Sequence, residues 1–307
     1  MTAHHPAVST VVPTHRRPEL MRIAVESVIG QEYAGDIEII VVFDGCDIEL
    51  PDLTERPGRS VRGVRNDRTR GLAGARNTGI VAAAHEFVAF LDDDDAWLPT
   101  KLSAQMPVFE SDDDVVLVGT AMRVVHDGRS SHTRLVPQST ITFEDLIGDR
   151  LAGLHSSSFV FRRARLIDEI GLIDEQLPGS YGEDYDVLLR TAQISPIRVV
   201  NEPLVAVRWS GQSYFYGQWN TYADALKYLL DQHPEFASQP RAHARVKSQI
   251  AFALAAGGHR AEARPWAREA LSDQRTNVRA WLALLVSFRL AHPGLIARAA
   301  NATGRGI

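Results

Sequence analysis

Alternation of short apolar runs with helical segments over the first hundred residues constrains the fold of this chain more than any other feature. Residues 8–12 form a β-branched run, and residues 18–31 carry apolar side chains at helical spacing. Residues 37–43 and 87–91 are nearly continuous apolar runs, as expected for strands buried on both faces, and 72–84 reads as a helix between them. This alternation predicts βαβ units, and so an α/β fold with a mostly parallel sheet and flanking helices.

Three polar clusters follow three of these predicted strands. They are the segment Pro13, Thr14, His15, Arg16, Arg17, the turn Asp44-Gly45, and the four aspartates Asp92, Asp93, Asp94 and Asp95. Loops after the carboxyl ends of strands are where open α/β sheets bind ligands. We therefore expect the three clusters to meet in one crevice.

The four aspartates predict a metal site. Consecutive carboxylates repel one another, a divalent cation relieves that repulsion, and carboxylate oxygens are the ligands that Mg²⁺ or Mn²⁺ prefers. In an extended segment side chains alternate, so we expect Asp92 and Asp94 on one side and Asp93 and Asp95 on the other. One pair would hold metal and phosphate, and the other would bind a ribose or cap the next helix. The alternative is a solvated acidic loop that only caps that helix.

The pattern changes to helices alone from about residue 216. Before it, residues 115–209 mix strand and helix candidates, including two short predicted strands at 197–200 and 204–207. After it, alanine-rich segments around 246–256, 261–272, 278–291 and 295–302 read as helices. We place a domain boundary near Tyr214, which gives an α/β domain over residues 1–214 and an all-α extension over 215–307.

Location is predicted from two features. The first residues lack the basic-then-apolar pattern of a signal peptide. The longest apolar run near the C-terminus, 280–288, is far shorter than the roughly 20 residues that a membrane span needs. We therefore expect a cytoplasmic protein, in which the single cysteine, Cys46, forms no disulfide within the chain and serves in packing.

Charge is distributed unevenly along the chain. Residues 241–307 hold 11 Lys and Arg and 3 Asp and Glu, a balance of +8; the whole chain carries −5, so the first 240 residues carry −13. A basic tail on an acidic body can favour an anionic membrane surface or nucleic acid, but these arginines are spread out, which favours a solvated helical face. No nucleic-acid partner is expected. Peripheral contact with the inner face of the membrane and a homodimer through these helices stay open.

Several segments in order carry a family resemblance. They are residues 9–20 followed by Glu26, Ser27, Val28 and Gln31; then 37–45, 70–80 and 90–99; and downstream 161–163 and 182–190. Together they resemble the family 2 inverting glycosyltransferases of the GT-A fold, over about residues 8–209. The resemblance implies transfer of a sugar, with inversion and a divalent metal, from a nucleotide-diphosphate sugar to an acceptor hydroxyl. UDP or dTDP is the favoured nucleotide, and the acceptor is a glycan, a lipid-linked molecule, a peptide or a small metabolite.

The resemblance also implies roles for individual residues. For the donor, Asp44 would accept a hydrogen bond from the nucleobase, Pro13, Thr14 and His15 would line base and ribose, Arg70 would lie near base or phosphates, and Asp93 would sit against the ribose. For the metal, Asp94 would be a ligand, and Asp92 is a second candidate that would also contact the donor. Arg70 or Arg76 could add a charge-assisted contact to the leaving diphosphate.

Asp184 is implied as the general base, with Glu183 beside it. An inverting transfer needs a carboxylate on the face opposite the leaving group, to take the acceptor's proton. The alternative is that both acids only stabilise a helix start. A helix N-terminus lowers a carboxylate's pKa and weakens it as a base, and desolvation by the acceptor would offset this.

Two positions depart from the family's pattern. Phe43 replaces the first of two acids that usually precede Gly45, which leaves the base contact of Asp44 intact. Trp209 stands where many members have a histidine, which removes one possible metal ligand.

Lesser candidates and rival functions complete the prediction. His155 is either a structural histidine or an acceptor contact, and the aromatic residues Trp209, Tyr214, Phe215, Tyr216 and Trp219 form either an acceptor platform or an inter-domain core. A Mg²⁺-dependent phosphatase would need Thr or Val soon after the acids, where the chain has Ala96 and Trp97. A dinucleotide dehydrogenase is disfavoured because no G-x-G-x-x-G follows the first strand. An inactive scaffold would not need to retain Asp44, Asp94 and Asp184 together.

Overall fold

The computed structural model describes residues 5–126, 129–209 and 217–296, which form two compact units. The larger unit takes in the described parts of residues 1–146, 150–175 and 183–211. The smaller unit takes in residues 147–149 and 176–182 and the described part of 212–307. The boundary predicted at Tyr214 lies outside the described residues.

Ten strands form one sheet in the described part of the larger unit. They are β1 (Val8–Thr14), β2 (Ile37–Phe43), β3 (Arg59–Arg65), β4 (Phe87–Phe90), β5 (Ala96–Trp97), β6 (Leu117–His126), β7 (Arg129–Arg134), β8 (Thr140–Ile141), β9 (Val160–Arg162) and β10 (Ile197–Arg208). Six helices accompany them: α1 (Pro18–Ile29), α2 (Leu72–Ala82), α3 (Lys101–Ser111), α4 (Phe143–Gly148), α5 (Arg163–Arg165) and α6 (Glu183–Ile194). A short 3₁₀ turn covers Ser156–Ser158, and a π-helical turn covers Leu166–Ile170; a second 3₁₀ turn, Pro178–Ser180, belongs to the smaller unit.

The sheet is parallel in one half and mixed in the other. Its order is β3-β2-β1-β4-β9-β6-β10-β5, with β7 on β6 and β8 on β10. β3, β2, β1 and β4 run parallel, whereas β9 pairs antiparallel with both β4 and β6. Every residue of β1, β2 and β4 is buried, as their apolar runs predict for strands covered on both faces. The predicted α/β fold with flanking helices is confirmed.

Helix α2 packs closely on β1, one of the strands that the polar clusters follow. Gly79 faces Val11, and a Cβ at this position would collide with the valine side chain. A glycine therefore lets the helix approach the strand closely. Its first turn then lies beside the carboxyl ends of β1 and β2.

One strand differs from the sequence prediction. Residues 197–200 and 204–207 belong to a single strand, β10, which pairs with β6 throughout. The register shifts on either side of Pro203. Because proline cannot donate a ladder hydrogen bond, the sequence suggested a break where the strand only bulges.

The smaller unit is helical. Its main elements are α7 (Trp219–Gln232), a 3₁₀ turn (Pro234–Ser238), α8 (Pro240–Ala256), α9 (Arg260–Asp273) and α10 (Val278–Ser287). Alanines fill its interior; Ala263, Ala267 and Ala270 on α9 are fully buried, and such small residues let helix backbones approach closely. Most of the helix predicted at 295–302 lies outside the described residues. No helix among the residues described is both long and apolar enough to cross a bilayer.

Candidate functional site

The three polar clusters meet at one edge of the sheet. β2, β1 and β4 are parallel neighbours, so the residues that follow them emerge side by side. The Thr14 hydroxyl donates to Asp93 Oδ2 at 2.7 Å, and the Asp44 backbone N–H donates to the Thr14 carbonyl at 2.9 Å. His15 Nδ1 lies 2.6 Å from the Asp44 carbonyl oxygen.

Asp44 is held from two sides. One carboxylate oxygen accepts a hydrogen bond from the Asn66 amide at 2.7 Å, and the other accepts from the Gly71 backbone N–H at 3.0 Å. Arg70 lies next to this turn, with its guanidinium 3.5 Å from the Gly45 carbonyl. The sequence gave no sign of Asn66, because an asparagine in a polar loop has no pattern that marks its partner.

A cavity of about 400 Å³ opens beside these residues. Its lining combines the end of β1, the start of α1 and the segment after β2, and includes Thr14, Arg16, Arg17, Phe43, Cys46 and Arg65. Cys46 is a free thiol that also packs partly against the core, in line with its predicted packing role. The volume falls within the range of small-molecule sites.

The four aspartates form a turn rather than an extended segment, so the predicted alternation is wrong. The Asp95 N–H donates to the Asp92 carbonyl at 3.1 Å, which closes the turn. Asp93 and Asp94 both contact Arg17, at 3.3 and 3.2 Å. Asp92 and Asp95 instead converge with His155, with one potential ligand atom from each residue within 4.8 Å of the others. The turn therefore places Asp92 and Asp95 together near His155, and Asp93 and Asp94 together on Arg17.

Asp95 is the most enclosed of the four. Its carboxylate accepts a hydrogen bond from the Ser157 hydroxyl at 2.6 Å and another from the Arg208 backbone N–H at 3.0 Å. Burial raises the pKa of Asp95 well above its usual value, and the negative charges of Asp92 and Asp94 raise it further. Asp94 is the most open, since its side chain is 38% exposed.

Arg76 joins Asp92 to the start of α6. Its guanidinium contacts Asp92 Oδ1 at 2.6 Å, Glu183 Oε1 at 2.5 Å and the Ser156 hydroxyl at 3.0 Å. The Arg76 side chain is only 1% exposed. Arg76 thus contacts two carboxylates inside the protein, and its contact with a diphosphate stays a prediction.

The two acids at the start of α6 have different surroundings. Burial raises the pKa of Glu183 to about 7, against the opposing effect of Arg76. Burial acts the same way on Asp184, but Arg150 and other nearby cations outweigh it and lower the Asp184 pKa below its usual value. Arg150 contacts both Asp184 oxygens, at 2.8 and 2.9 Å, and is itself half exposed.

Sequence reasoning missed Arg17, Arg150 and the serines Ser156 and Ser157 as members of this network. Arg17 belongs to the polar segment that follows β1, but nothing in that segment indicated that its side chain would contact Asp93 and Asp94. His155 is partly structural: its Nδ1 lies 3.3 Å from the Ser157 backbone N–H, and it lies 3.5 Å from Asp95.

The predicted aromatic platform is only partly described. Trp209 is 44% exposed and lies edge-on to His126. Trp219 packs edge-on against Phe252 within the helical unit. Tyr214, Phe215 and Tyr216 lie outside the described residues.

The chain belongs to the family described as Glycosyl transferase family 2, which matches residues 9–170. Three relatives illustrate the match. The chain is 34% identical over 214 residues to an uncharacterized glycosyltransferase of Nostoc sp. (66% of this chain, 65% of the relative). It is 31% identical over 208 residues to the succinoglycan biosynthesis protein ExoO of Rhizobium meliloti (64% and 59%). It is 25% identical over 194 residues to the UDP-Glc:alpha-D-GlcNAc-diphosphoundecaprenol beta-1,3-glucosyltransferase WfgD of Escherichia coli (63% and 73%).

The matched segments span about a third to two thirds of the length of other curated relatives, for example 35% of a Rickettsia felis glycosyltransferase and 66% of one from Haemophilus influenzae.

Solved structures share the fold. TarS 1–349 of S. aureus, in complex with UDP-GlcNAc, superimposes with a TM-score of 0.58 at 16% identity, over 93% of this chain and 92% of TarS 1–349. The mannosyltransferase PcManGT of Pyrobaculum calidifontis, in complex with GDP-Man and Mn²⁺, gives 0.55 at 18% identity, over 93% and 86%. The GT-A fold expected from the resemblance is thus confirmed.

Proposed function

We propose that this chain is an inverting, metal-dependent glycosyltransferase that moves a hexosyl group from a nucleotide-diphosphate sugar to an acceptor hydroxyl. One observation carries the proposal. The acids after β4 are linked through Arg76 to the acids at the start of α6, at the same sheet edge as Asp44. This arrangement supports the proposal, because the proposed donor contacts, metal ligands and base would then lie close together at one edge of the sheet.

The donor would bind along the ends of β2 and β1. Asp44 would accept a hydrogen bond from the nucleobase, and its fixed orientation between Asn66 and Gly71 suits that role. Pro13, Thr14 and His15 would line base and ribose, Asp93 would lie against the ribose, and Arg70 would contact base or phosphates. We favour UDP or dTDP; the UDP-Glc in the name of the WfgD relative and the UDP-GlcNAc in the TarS complex support a uridine nucleotide.

The residues present fit a divalent cation. Asp92 and Asp94 offer hard oxygen ligands. Burial raises the pKa of Asp94, and the negative charges of Asp92 and Asp93 raise it further, a repulsion that a cation would relieve. Asp92 and Asp94 would hold Mn²⁺ or Mg²⁺, with Asp95 and His155 as further donors close to Asp92. His155 would thereby supply the imidazole that Trp209 does not. When bound, the cation supplies Lewis-acid stabilisation of the leaving diphosphate.

Asp184 would take the proton of the acceptor hydroxyl. Arg150 lowers the pKa of Asp184 while the two are paired, so a catalytic Asp184 must exchange this partner for the acceptor. Arg150 is half exposed, and this role would require it to leave Asp184 when the acceptor binds. Removal of that positive charge raises the basicity of Asp184 as the acceptor arrives. Glu183, buried on Arg76, would position Asp184 and Asp92 without touching substrate.

The acceptor is a glycan, a lipid-linked molecule, a peptide or a small metabolite. We propose residues 1–214 as the catalytic domain and 215–307 as a helical domain. The cytoplasmic location, the absence of a nucleic-acid partner and the homodimer remain predictions.

Calorimetric titration with UDP, dTDP, GDP and CMP tests the proposal, each in Mn²⁺ and in EDTA. We expect one diphosphate to bind with Mn²⁺ and to bind at least about tenfold more weakly in EDTA or to Asp94→Asn, because a cation held by Asp94 would offset the negative charge of the diphosphate. Asp168→Asn, an exposed acid outside the site, is the matched control and should bind as wild type does. Asp184→Asn should also keep nucleotide binding, since its role is on the acceptor. A folded protein that binds no nucleotide would refute the transferase and support an inactive scaffold; release of inorganic phosphate from phosphate esters would support the phosphatase.

A further inference from the structure

Helix α10 is apolar on two opposite faces. Small side chains of one face, Ala280, Ala283, Val286 and Ser287, are buried in the helical unit. At 100° per residue, larger apolar side chains cover the other face. Their exposed fractions are 68% for Val278, 53% for Trp281, 41% for Leu285 and 51% for Phe288. A solvated helix would carry polar residues there.

The exposed apolar surface continues past the helix. Leu290 is 74% exposed and Leu295 is 65% exposed. Six of the thirteen large hydrophobic side chains exposed in the described residues therefore fall within residues 278–295. We call residues 278–295 the α10 surface. Such a concentration marks an interaction site, whereas single exposed apolar residues are ordinary.

The α10 surface is bordered by arginines. Arg264 on α9 stacks on the Phe288 ring at 4.4 Å, and Arg268 follows one turn later on the same face of α9. Arg289 is exposed at the end of α10, and Arg275 is exposed just before it.

The acids of the same part of the chain form ion pairs with lysines. Three acids occur between residues 241 and 307, and each pairs with a lysine in the described residues. Glu262 contacts Lys227 at 3.1 Å, Glu269 contacts Lys247 at 3.1 Å, and Asp273 contacts Lys247 at 3.2 Å. These three acids thus contact lysines, and the arginines form a positively charged border around the apolar side chains of the α10 surface.

We propose that the α10 surface docks on an anionic lipid bilayer, with α10 lying in the plane of the interface. An apolar strip with tryptophan and phenylalanine, bordered by arginines, is the pattern of an interfacial helix: the rings enter the headgroup region and the cations face lipid phosphates. Charge argues against the other obvious occupant, a second copy of the chain. A two-fold contact through this face would bring two arginine borders together.

Co-sedimentation of the full chain with vesicles tests the proposal. The vesicles are phosphatidylcholine alone, or phosphatidylcholine with about a third phosphatidylglycerol. We expect binding to the anionic vesicles only, weakened by about fivefold for each of Arg275→Gln and Arg289→Gln and by high salt. Trp281→Ser/Phe288→Ser should weaken binding by at least about tenfold, because each ring would otherwise bury on the order of 100 Å² of apolar area.

Two further variants separate docking from damage to the fold. Ile23→Ser/Val81→Ser removes side chains of similar exposure from the larger unit and should bind as wild type does. Leu290→Ser changes the most exposed large hydrophobic side chain of the α10 surface, and should weaken binding while leaving the circular dichroism spectrum unchanged.

Three outcomes would overturn the proposal. One is equal binding of wild type and the double serine variant. Another is no preference for anionic over neutral vesicles. The third is a wild-type dimer that dissociates in the double serine variant without any vesicle binding, which would identify the α10 surface as a contact between copies.

Discussion

Replacement of Arg76 by methionine tests the central network most directly. Arg76 is 1% exposed and lies between Asp92 and Glu183, whose side chains are 21% and 7% exposed. Methionine keeps much of the volume but leaves two buried carboxylates without their cation. Removal of one partner from a buried ion pair costs about 3–5 kcal/mol, out of a typical stability of 5–15 kcal/mol.

The cost of Arg76→Met should depend on pH. Burial already raises the pKa of Glu183 to about 7 in spite of Arg76, so loss of Arg76 raises it further. A carboxyl whose pKa is higher in the folded state than in the unfolded state binds more protons when folded, so its contribution to stability is lost as pH rises. We therefore expect the gap in unfolding free energy between wild type and Arg76→Met to widen from about pH 6 to about pH 8.

Urea denaturation followed by circular dichroism measures the effect. Arg22→Gln, which removes an exposed pair with Glu19, is the control and should change stability by less than about 1 kcal/mol. Adding Glu183→Gln to Arg76→Met should recover part of the loss, because it removes one of the stranded charges. Two results would refute the idea that Arg76 stabilises these buried acids. One is a loss of unfolding free energy below about 1 kcal/mol for Arg76→Met. The other is no recovery of stability in Arg76→Met/Glu183→Gln.

A half-buried glutamate and a fully buried lysine give two further predictions. Burial raises the pKa of Glu175, but hydrogen bonds from Asn77, Arg68 and Thr69 outweigh it and lower the pKa to about 2. Glu175→Gln should therefore cost about 1–3 kcal/mol at pH 7 in urea denaturation, and the difference from wild type should shrink as pH falls from about 4.5 towards 2; a difference as large at pH 3 as at pH 7 would contradict this. Lys101 is fully buried over the Trp97 ring, its Nζ has no hydrogen-bond partner, and burial lowers its pKa well below the usual value. The unfolded state then binds a proton that the folded state lacks, so the melting temperature of the wild type should rise with pH between about 7 and 10. Lys101→Met should be more stable than wild type at pH 7 and should lack that rise. A methionine variant less stable than wild type would be evidence against this prediction.

The parts of the fold that the sequence predicted are those where burial leaves a pattern. Residues 37–43 and 87–91 are nearly continuous apolar runs because both faces of β2 and β4 are covered, and such runs mark strands. β7 could not be found in this way, since residues 129–134 read Arg-Ser-Ser-His-Thr-Arg and carry no apolar alternation. The helix expected after the aspartates is α3, which continues through Pro107 although a proline usually disrupts a helix interior.

The sequence indicated which residues meet at the candidate site better than it indicated how their side chains are arranged. Parallel strand order brought Thr14, Asp44 and Asp93 together, because adjacent parallel strands end at one edge. The conformation of Asp92–Asp95 depends instead on distant partners: Ser157 and the Arg208 backbone hold Asp95, and Arg76 holds Asp92. These partners lie from 16 to 113 residues away along the chain, so spacing within the acidic run could not report them.

The observed contacts show that the four aspartates are not equivalent. Sequence alone presents four equivalent carboxylates whose repulsion only a cation relieves. In the structure Arg76 balances Asp92, and Arg17 contacts both Asp93 and Asp94. Asp95 is satisfied by Ser157 and the Arg208 backbone, so Asp94, the most exposed, has the most capacity left for a ligand. Because Arg17 also lines the cavity beside Asp44, a cation on Asp94 would weaken the hold on Arg17 and free it to face an anion in that cavity. Metal and nucleotide binding would then be coupled through one side chain.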